Sequence, residues 1–362
     1  MLRASSKEEG IYRIKAILID GPKQVRIAEV AMPTPEPGEM LIRSRAVGIC
    51  GSDVELYQGT RPEGFYRDPL VPGHEWSGEV AALGERARGL SVGDRVVAEG
   101  ILLCGTCRSC RMGLTNLCEA GYDEIGFTRP GGLAEYVVVP ARQVHRLPRD
   151  ASFQEAALLE PAAVVAQAFL RSAPQAGETV VVIGDGTIGL LAVQILHLFS
   201  PAALILAGSH DERLAIGRRL GATHTINSKR DDVEQCVRDV TQGCGADLVF
   251  EGGSRAAGVE LSMRLARRGG TVLLEGIAGA GAHLSLESDI FVLKHLTVNG
   301  IFGASSAAWT YAVRLFSVGL LQLAPLITHR FALPDYEAAL DTVMARHEGA
   351  LKVLLVHDES RR

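Results

Sequence analysis

Cys104, Cys107, Cys110 and Cys118 stand close together, with two residues between each of the first three and seven before the fourth. Thiolates at this spacing, separated by small and polar residues such as Gly105, Thr106 and Gly113, can wrap a tetrahedral zinc ion from one loop. A closed set of four sulfurs leaves no position for a substrate, so such a site is structural. The same ligands suit an iron–sulfur cluster, and free buried thiols are the plainer reading. A second set is dispersed as Cys50-Gly51-Ser52-Asp53, Gly73-His74-Glu75 and Leu159-Glu160-Pro161. Thiol, imidazole and carboxylate are the mixed ligands of a catalytic zinc, which keeps one position open for water or an alcohol oxygen. Taken singly, His74 is a structural histidine, Glu160 an ordinary helix start and Cys50 a small buried hydrophobe. Their order beside the cysteine loop gives them weight.

Gly184-Asp185-Gly186-Thr187-Ile188-Gly189 follows the apolar run TVVVI and opens the helical pattern IGLLAVQIL. In that setting the glycine spacing means dinucleotide binding, because the turn is tight and the pyrophosphate approaches the helix N-terminus. An acid at the end of the next strand selects NAD by bonding the ribose 2′-hydroxyl. The run ALILA ends instead in Gly208-Ser209-His210, with Asp211 and Glu212 placed as first-turn helix residues. Gly208 leaves room for a 2′-phosphate, Ser209 can donate to it and Arg213 can pair with it, so this reading favours NADP(H) over NAD(H).

The elements that must position these residues fall into two kinds. From Ile14 to Val139 the apolar runs IKAILI, MLIRSRAVGI, SGEVAAL, DRVVAEG and LAEYVVV are short and broken by Gly and Pro, as in an irregular β domain without long amphipathic helices. From about Pro161 buried strands alternate with helices, ending with GVELSMRLARRGG as helix and TVLLEGI and LTVNGI as strands. This is an α/β pattern with a doubly wound parallel sheet. The boundaries read as 1–165 for the β domain, 166–302 for the nucleotide domain and 303–362 for a return to the first. A length of 362 residues fits two domains. A net charge of −5, from Lys+Arg 37 and Asp+Glu 42, offers no basic field for nucleic acid. The polar start MLRASSKEEGIYR lacks the apolar core of a signal peptide, and no run is long enough to span a bilayer. A soluble cytoplasmic protein is expected, and in a reducing compartment clustered cysteines point to metal.

Together GICGSD, PGHEWSGEV, GDRV at 93–96, the Cys104–Cys118 loop, LEPAAV, GDGTIG and THRF resemble the zinc-containing medium-chain alcohol dehydrogenases, nearest the sorbitol, threonine and butanediol dehydrogenase group. The resemblance spans about Ile14 to Val356. It implies a GroES-like β domain joined to a Rossmann domain, two zinc ions per chain and NAD or NADP. Cys50 and His74 are then ligands of the catalytic zinc, with Glu75 or Glu160 supplying the carboxylate, directly or through water. Asp53 orients His74, and Ser52 bonds the alcohol and begins a proton relay. The reaction implied is hydride transfer between an alcohol and the nicotinamide, with zinc polarising the oxygen.

Two positions depart from that pattern. Glu55 stands where many relatives carry a relay histidine, and Phe302 is followed by Gly303 rather than by the polyol-binding arginine of sorbitol dehydrogenases. Diols, amino alcohols, cyclitols and secondary alcohols therefore all remain candidate substrates. The family further implies a homodimer or homotetramer. The rival readings are a catalytically inactive nucleotide- or zinc-binding module and a zinc-free quinone reductase; neither needs the full ligand set.

Overall fold

The computed structural model describes residues 12–279, 281–345 and 349–357. The polar N-terminal stretch read above lies outside them up to residue 11. Strands β1 (Arg13–Gly21) and β2 (Gln24–Ala31) form an antiparallel hairpin. The β domain is built on β3 (Glu39–Ile49), β4 (Glu75–Leu83), β5 (Arg95–Ala98), β6 (Tyr136–Pro140) and β7 (Val144–Arg146). The nucleotide sheet comprises β8 (Thr179–Ile183), β9 (Ala203–Gly208), β10 (His224–Asn227), β11 (Ala246–Glu251), β12 (Ala266–Leu274) and β13 (Thr297–Gly300). Two late strands, β14 (Ile327–Ala332) and β15 (Lys352–Val356), rejoin the first sheet, whose order is β14-β15-β3-β4-β5-β7 with β6 on β3.

The six nucleotide strands run in the order β10-β9-β8-β11-β12-β13, every pair parallel. Runs such as TVVVI are apolar on both faces because helices cover both sides. Strand order reverses at β8, and the crevice beyond the carboxyl ends of β8 and β11 is the ligand position this topology creates.

The helices Leu159–Arg171 and Ser306–Ser317 tie the two sheets together. Their buried faces share one core with Val97 of β5, Leu354 of β15 and Val180 and Val182 of β8. Glycine spacing, apolar runs and alternation foretold most elements, and two differences stand out. The helix Ala256–Leu265 stops before ARRGG, because Ala266 already pairs with Ala246 and Gly269 takes φ 72°. An eight-residue helix, Gly51–Gln58, also interrupts the β region. It lacks an apolar stripe, so no periodicity announced it. Its start is fixed by Asp53, whose Oδ2 accepts the Cys50 backbone N–H at 2.9 Å.

Candidate active site

Strand β3 ends at Ile49 and the following helix begins at Gly51, so Cys50 sits at a helix N-cap with Ser52 and Asp53 in the first turn. β4 begins at Glu75 and runs antiparallel to β3, with Gly48 opposite Glu75. The Cys50 Sγ, a His74 ring nitrogen and a Glu75 carboxylate oxygen consequently lie within 4.8 Å of one another. His74 and Glu75 are buried and Cys50 is half-buried. Ser52 Oγ is 3.9 Å from the Cys50 sulfur.

Asp53 Oδ1 is 3.6 Å from His74 Nδ1, close enough for charge attraction and too long for a hydrogen bond. Burial works against a charged His74 ring, yet Asp53 and Cys50 outweigh it and raise its pKa well above the usual value. Glu75 is gripped by Lys352 of β15, whose Nζ donates to Oε1 at 2.8 Å and Oε2 at 2.6 Å. Burial would lower the Lys352 pKa, and Glu75 reverses that and raises it.

Glu160 opens the helix Leu159–Arg171 outside the Cys50–His74–Glu75 set. Burial, helped by Glu75 and Glu124 and opposed by His74, pushes its carboxyl up to about 8. An acid held neutral by burial and by neighbouring acids becomes a ligand once a dication shares the space.

The wall beside His74 carries groups that no motif announced. The Phe127 ring lies 4.5 Å from the His74 ring, and the Arg61 guanidinium carbon sits 3.6 Å above the Phe127 ring. Arg61 donates to the Tyr122 hydroxyl at 3.0 Å, and Tyr122 donates to Glu124. Burial raises the Glu124 pKa against the pull of His74. Trp76 and Trp309 are core residues at 2% and 3% exposure.

The four loop cysteines converge as their spacing requires. All four sulfurs fall within 4.8 Å of one another, and Cys104 Sγ is 4.0 Å from Cys110 Sγ. Sulfurs about 2.3 Å from a central zinc stand roughly 3.8 Å apart, whereas a disulfide needs about 2.05 Å, so the set fits a tetrahedral ion. Backbone N–H groups of Thr106 and Cys107 donate to Cys104 Sγ, and that of Cys110 to Cys107 Sγ. The Thr106 amide and hydroxyl, with the Cys107 amide, draw Cys104 down to about 5, while burial pushes Cys110 up to about 12.

In the nucleotide turn Gly184 adopts φ 110°, and a side chain there would lie 2.9 Å from Gly253. Gly189 packs so tightly on the Gly184 carbonyl that no side chain fits. A Cβ on Gly186 meets nothing within 4 Å, which leaves the helix start at Thr187 and Ile188 open to a pyrophosphate.

The residues read as a 2′-phosphate pocket have other partners in the fold. A Cβ on Gly208 would lie 2.6 Å from Asp185 Oδ2, so the Asp185 carboxylate stands against Gly208. The Ser209 N–H already donates to that oxygen. Arg213 is buried, its guanidinium donating to the Ala350 carbonyl at 2.6 Å, because its helix packs against the segment leading into β15.

Residues 36–149 match the Alcohol dehydrogenase GroES-like domain and residues 187–318 the Zinc-binding dehydrogenase domain. The chain is 34% identical to the erythritol/L-threitol dehydrogenase of Mycolicibacterium smegmatis, over 95% of this chain and 98% of that one. It belongs to the zinc-containing medium-chain alcohol dehydrogenases. It is also 33% identical to the L-threonine 3-dehydrogenase of Deinococcus deserti, across 91% of this chain and 94% of that one. A zinc-binding dehydrogenase from Sinorhizobium meliloti bound to NADP superposes with a TM-score of 0.88 at 30% identity, covering 95% of this chain and 99% of that one. The GroES-like and Rossmann layers are those of this family. The protein is a zinc-dependent alcohol dehydrogenase that uses NAD(P).

Proposed function

We propose that the enzyme oxidises a secondary alcohol bearing an adjacent hydroxyl or amino group, at a zinc held by Cys50, His74 and one of Glu75 and Glu160. The observation that carries this reading is the convergence of Cys50, His74 and Glu75 at the β3–β4 edge, beside a wall furnished with Arg61, Tyr122 and Glu124. Relatives named for erythritol, L-threitol and L-threonine support a second polar group on the substrate. The cysteine loop is assigned a second, structural zinc.

When bound, zinc supplies Lewis acidity at the substrate oxygen and the nicotinamide supplies the hydride acceptor. The chain's own residues supply the rest. Ser52, next to Cys50, takes the hydroxyl proton and passes it outward. Asp53 turns His74 Nδ1 toward itself and frees the other ring nitrogen for metal. Lys352 neutralises Glu75 while Glu160 awaits the cation, so the carboxylate ligand can alternate. Phe127 and the buried helix start at Leu159 keep water from the cleft.

Self-association is part of the proposal. β13 is one of the two edges of the nucleotide sheet, and around it Phe291, Val292, Leu293 and Val298 are exposed, an apolar rim suited to a second copy in a dimer or tetramer. No described helix is long and apolar enough to cross a membrane. A cytoplasmic location is proposed from the free cysteines.

The test is a panel of diols, polyols, amino alcohols and simple secondary alcohols, each assayed with NAD and NADP by absorbance of the reduced nicotinamide and repeated on Cys50→Ser. Turnover of vicinally substituted alcohols, lost in a folded Cys50→Ser protein, is expected. A fully active Cys50→Ser enzyme, or a preference for simple alcohols, would overturn the assignment.

A further inference from the structure

The second nucleotide strand ends without an acid in sequence, yet an acid stands there in space. Asp185, the first variable residue of the glycine turn, projects from the end of β8 across to the end of β9. A Cβ built on Gly208 would fall 2.6 Å from Asp185 Oδ2, so this carboxylate occupies the volume where a side chain at 208 would begin. Asp185 is buried, and its Oδ2 accepts the backbone N–H groups of Ser209 and His210, each at 2.7 Å. The His210 Nδ1 lies 3.1 Å from the same oxygen, and Arg213 Nη1 is 3.9 Å from Oδ1.

We infer that Asp185 is the cofactor-selecting acid of this enzyme, supplied from the glycine turn instead of from β9, and that it makes the chain prefer NAD over NADP. The inference rests on the dinucleotide site described above. A ribose 2′-phosphate at the end of a second nucleotide strand needs free donors and a tolerant charge. Here the two amides that follow β9 already bond a carboxylate. His210 and Arg213, two groups near the end of β9 able to carry positive charge, face that same carboxylate. A phosphate arriving there meets like charge and spent donors, whereas a 2′-hydroxyl can donate to the carboxylate. The exchange of positions is sterically consistent: with Asp185 in place only glycine fits at 208. A Gly208→Asp substitution would therefore disrupt the turn and say little about selectivity.

The experiment measures Kd for NAD+ and NADP+ separately, by calorimetry on the zinc-loaded full chain, for the native protein and for Asp185→Asn and Asp185→Ala. Asparagine keeps the size of the side chain and an oxygen for the two amides but removes the charge; thermal melting without nucleotide reports whether each variant folds. Like-charge juxtaposition at a binding site is a large effect, so NAD+ should bind the native protein about 100-fold more tightly than NADP+. Asp185→Asn should narrow that ratio to about 10-fold or less, chiefly by tightening NADP+. A purely structural Asp185 would weaken both cofactors alike and leave the ratio unchanged, which would overturn the inference. Native protein that binds NADP+ as tightly as NAD+ would do the same. Binding of neither nucleotide would overturn the dinucleotide site itself.

Discussion

Lys352 Nζ reaches both carboxylate oxygens of Glu75, at 2.8 and 2.6 Å, from a position 277 residues later in the chain. The pair is almost fully buried, at 4% and 1% side-chain exposure. β15 delivers the lysine to the far side of β3 from β4, and Gly48 of β3 leaves the space through which the two groups meet. Removing one partner of a buried pair strands the other charge. Lys352→Met should cost about 3–5 kcal/mol in urea unfolding. The double change Lys352→Met, Glu75→Gln should recover much of that loss. A single variant as stable as the native protein would show that the pair holds no uncompensated charge.

The cysteine loop behaves differently, because its stability is metal-linked. Cys110→Ser, or exhaustive chelation, should lower the melting temperature and free one zinc per chain, while Cys50→Ser should free the other with little change in melting. Metal analysis with calorimetry separates the two. Equal effects on melting would mean that the sites are not divided into structural and catalytic roles.

His357 gives a pH-dependent term. Burial depresses its pKa to about 4, with a ring nitrogen 3.3 Å from the Gly132 carbonyl. The unfolded chain binds this proton near pH 6.5 and the folded chain only near 4, so stability is complete above about 6.5 and falls as pH drops toward 4. Up to about 3 kcal/mol is at stake. His357→Gln should flatten the urea midpoint between pH 6.5 and 4, and an unchanged slope would assign the acid sensitivity elsewhere.

Glu275, just past β12, is a standing cost. Both its carboxylate oxygens are buried without a hydrogen-bond partner, and burial together with Glu160 and Glu251 holds its pKa well above the usual range. Glu275→Leu should stabilise the cofactor-free protein by about 1–3 kcal/mol, read from the urea midpoint. Destabilisation would show that the acid is satisfied in solution.

What the sequence disclosed was what is local. Cys104 to Cys118 form a site from one loop, and Gly184 to Gly189 form a turn next to their own strand, so spacing sufficed for both. Alternating strand and helix likewise named the parallel sheet. Contacts made between distant segments left no such trace. Asp185 answers for the missing acid at Gly208 only because β8 and β9 are neighbours. Arg213, one turn from the expected phosphate, is spent on Ala350, which arrives with the end of the chain. Arg61, Tyr122 and Glu124 carry no motif and are linked only by folding. Glu275 was the detectable exception, because a lone acid in an apolar run such as TVLLEGI is out of place unless it serves a site.

The late arrival of β15 also bears on synthesis. Cys50, His74 and Glu75 leave the ribosome long before Lys352, and at about 5–20 residues per second the interval is on the order of tens of seconds. Throughout that time the β3 edge that β15 will cover is unpaired and Glu75 has no cation. A nascent or prematurely terminated chain therefore carries an acid-rich, metal-hungry pocket and an open sheet edge, and only the finished polypeptide can close both.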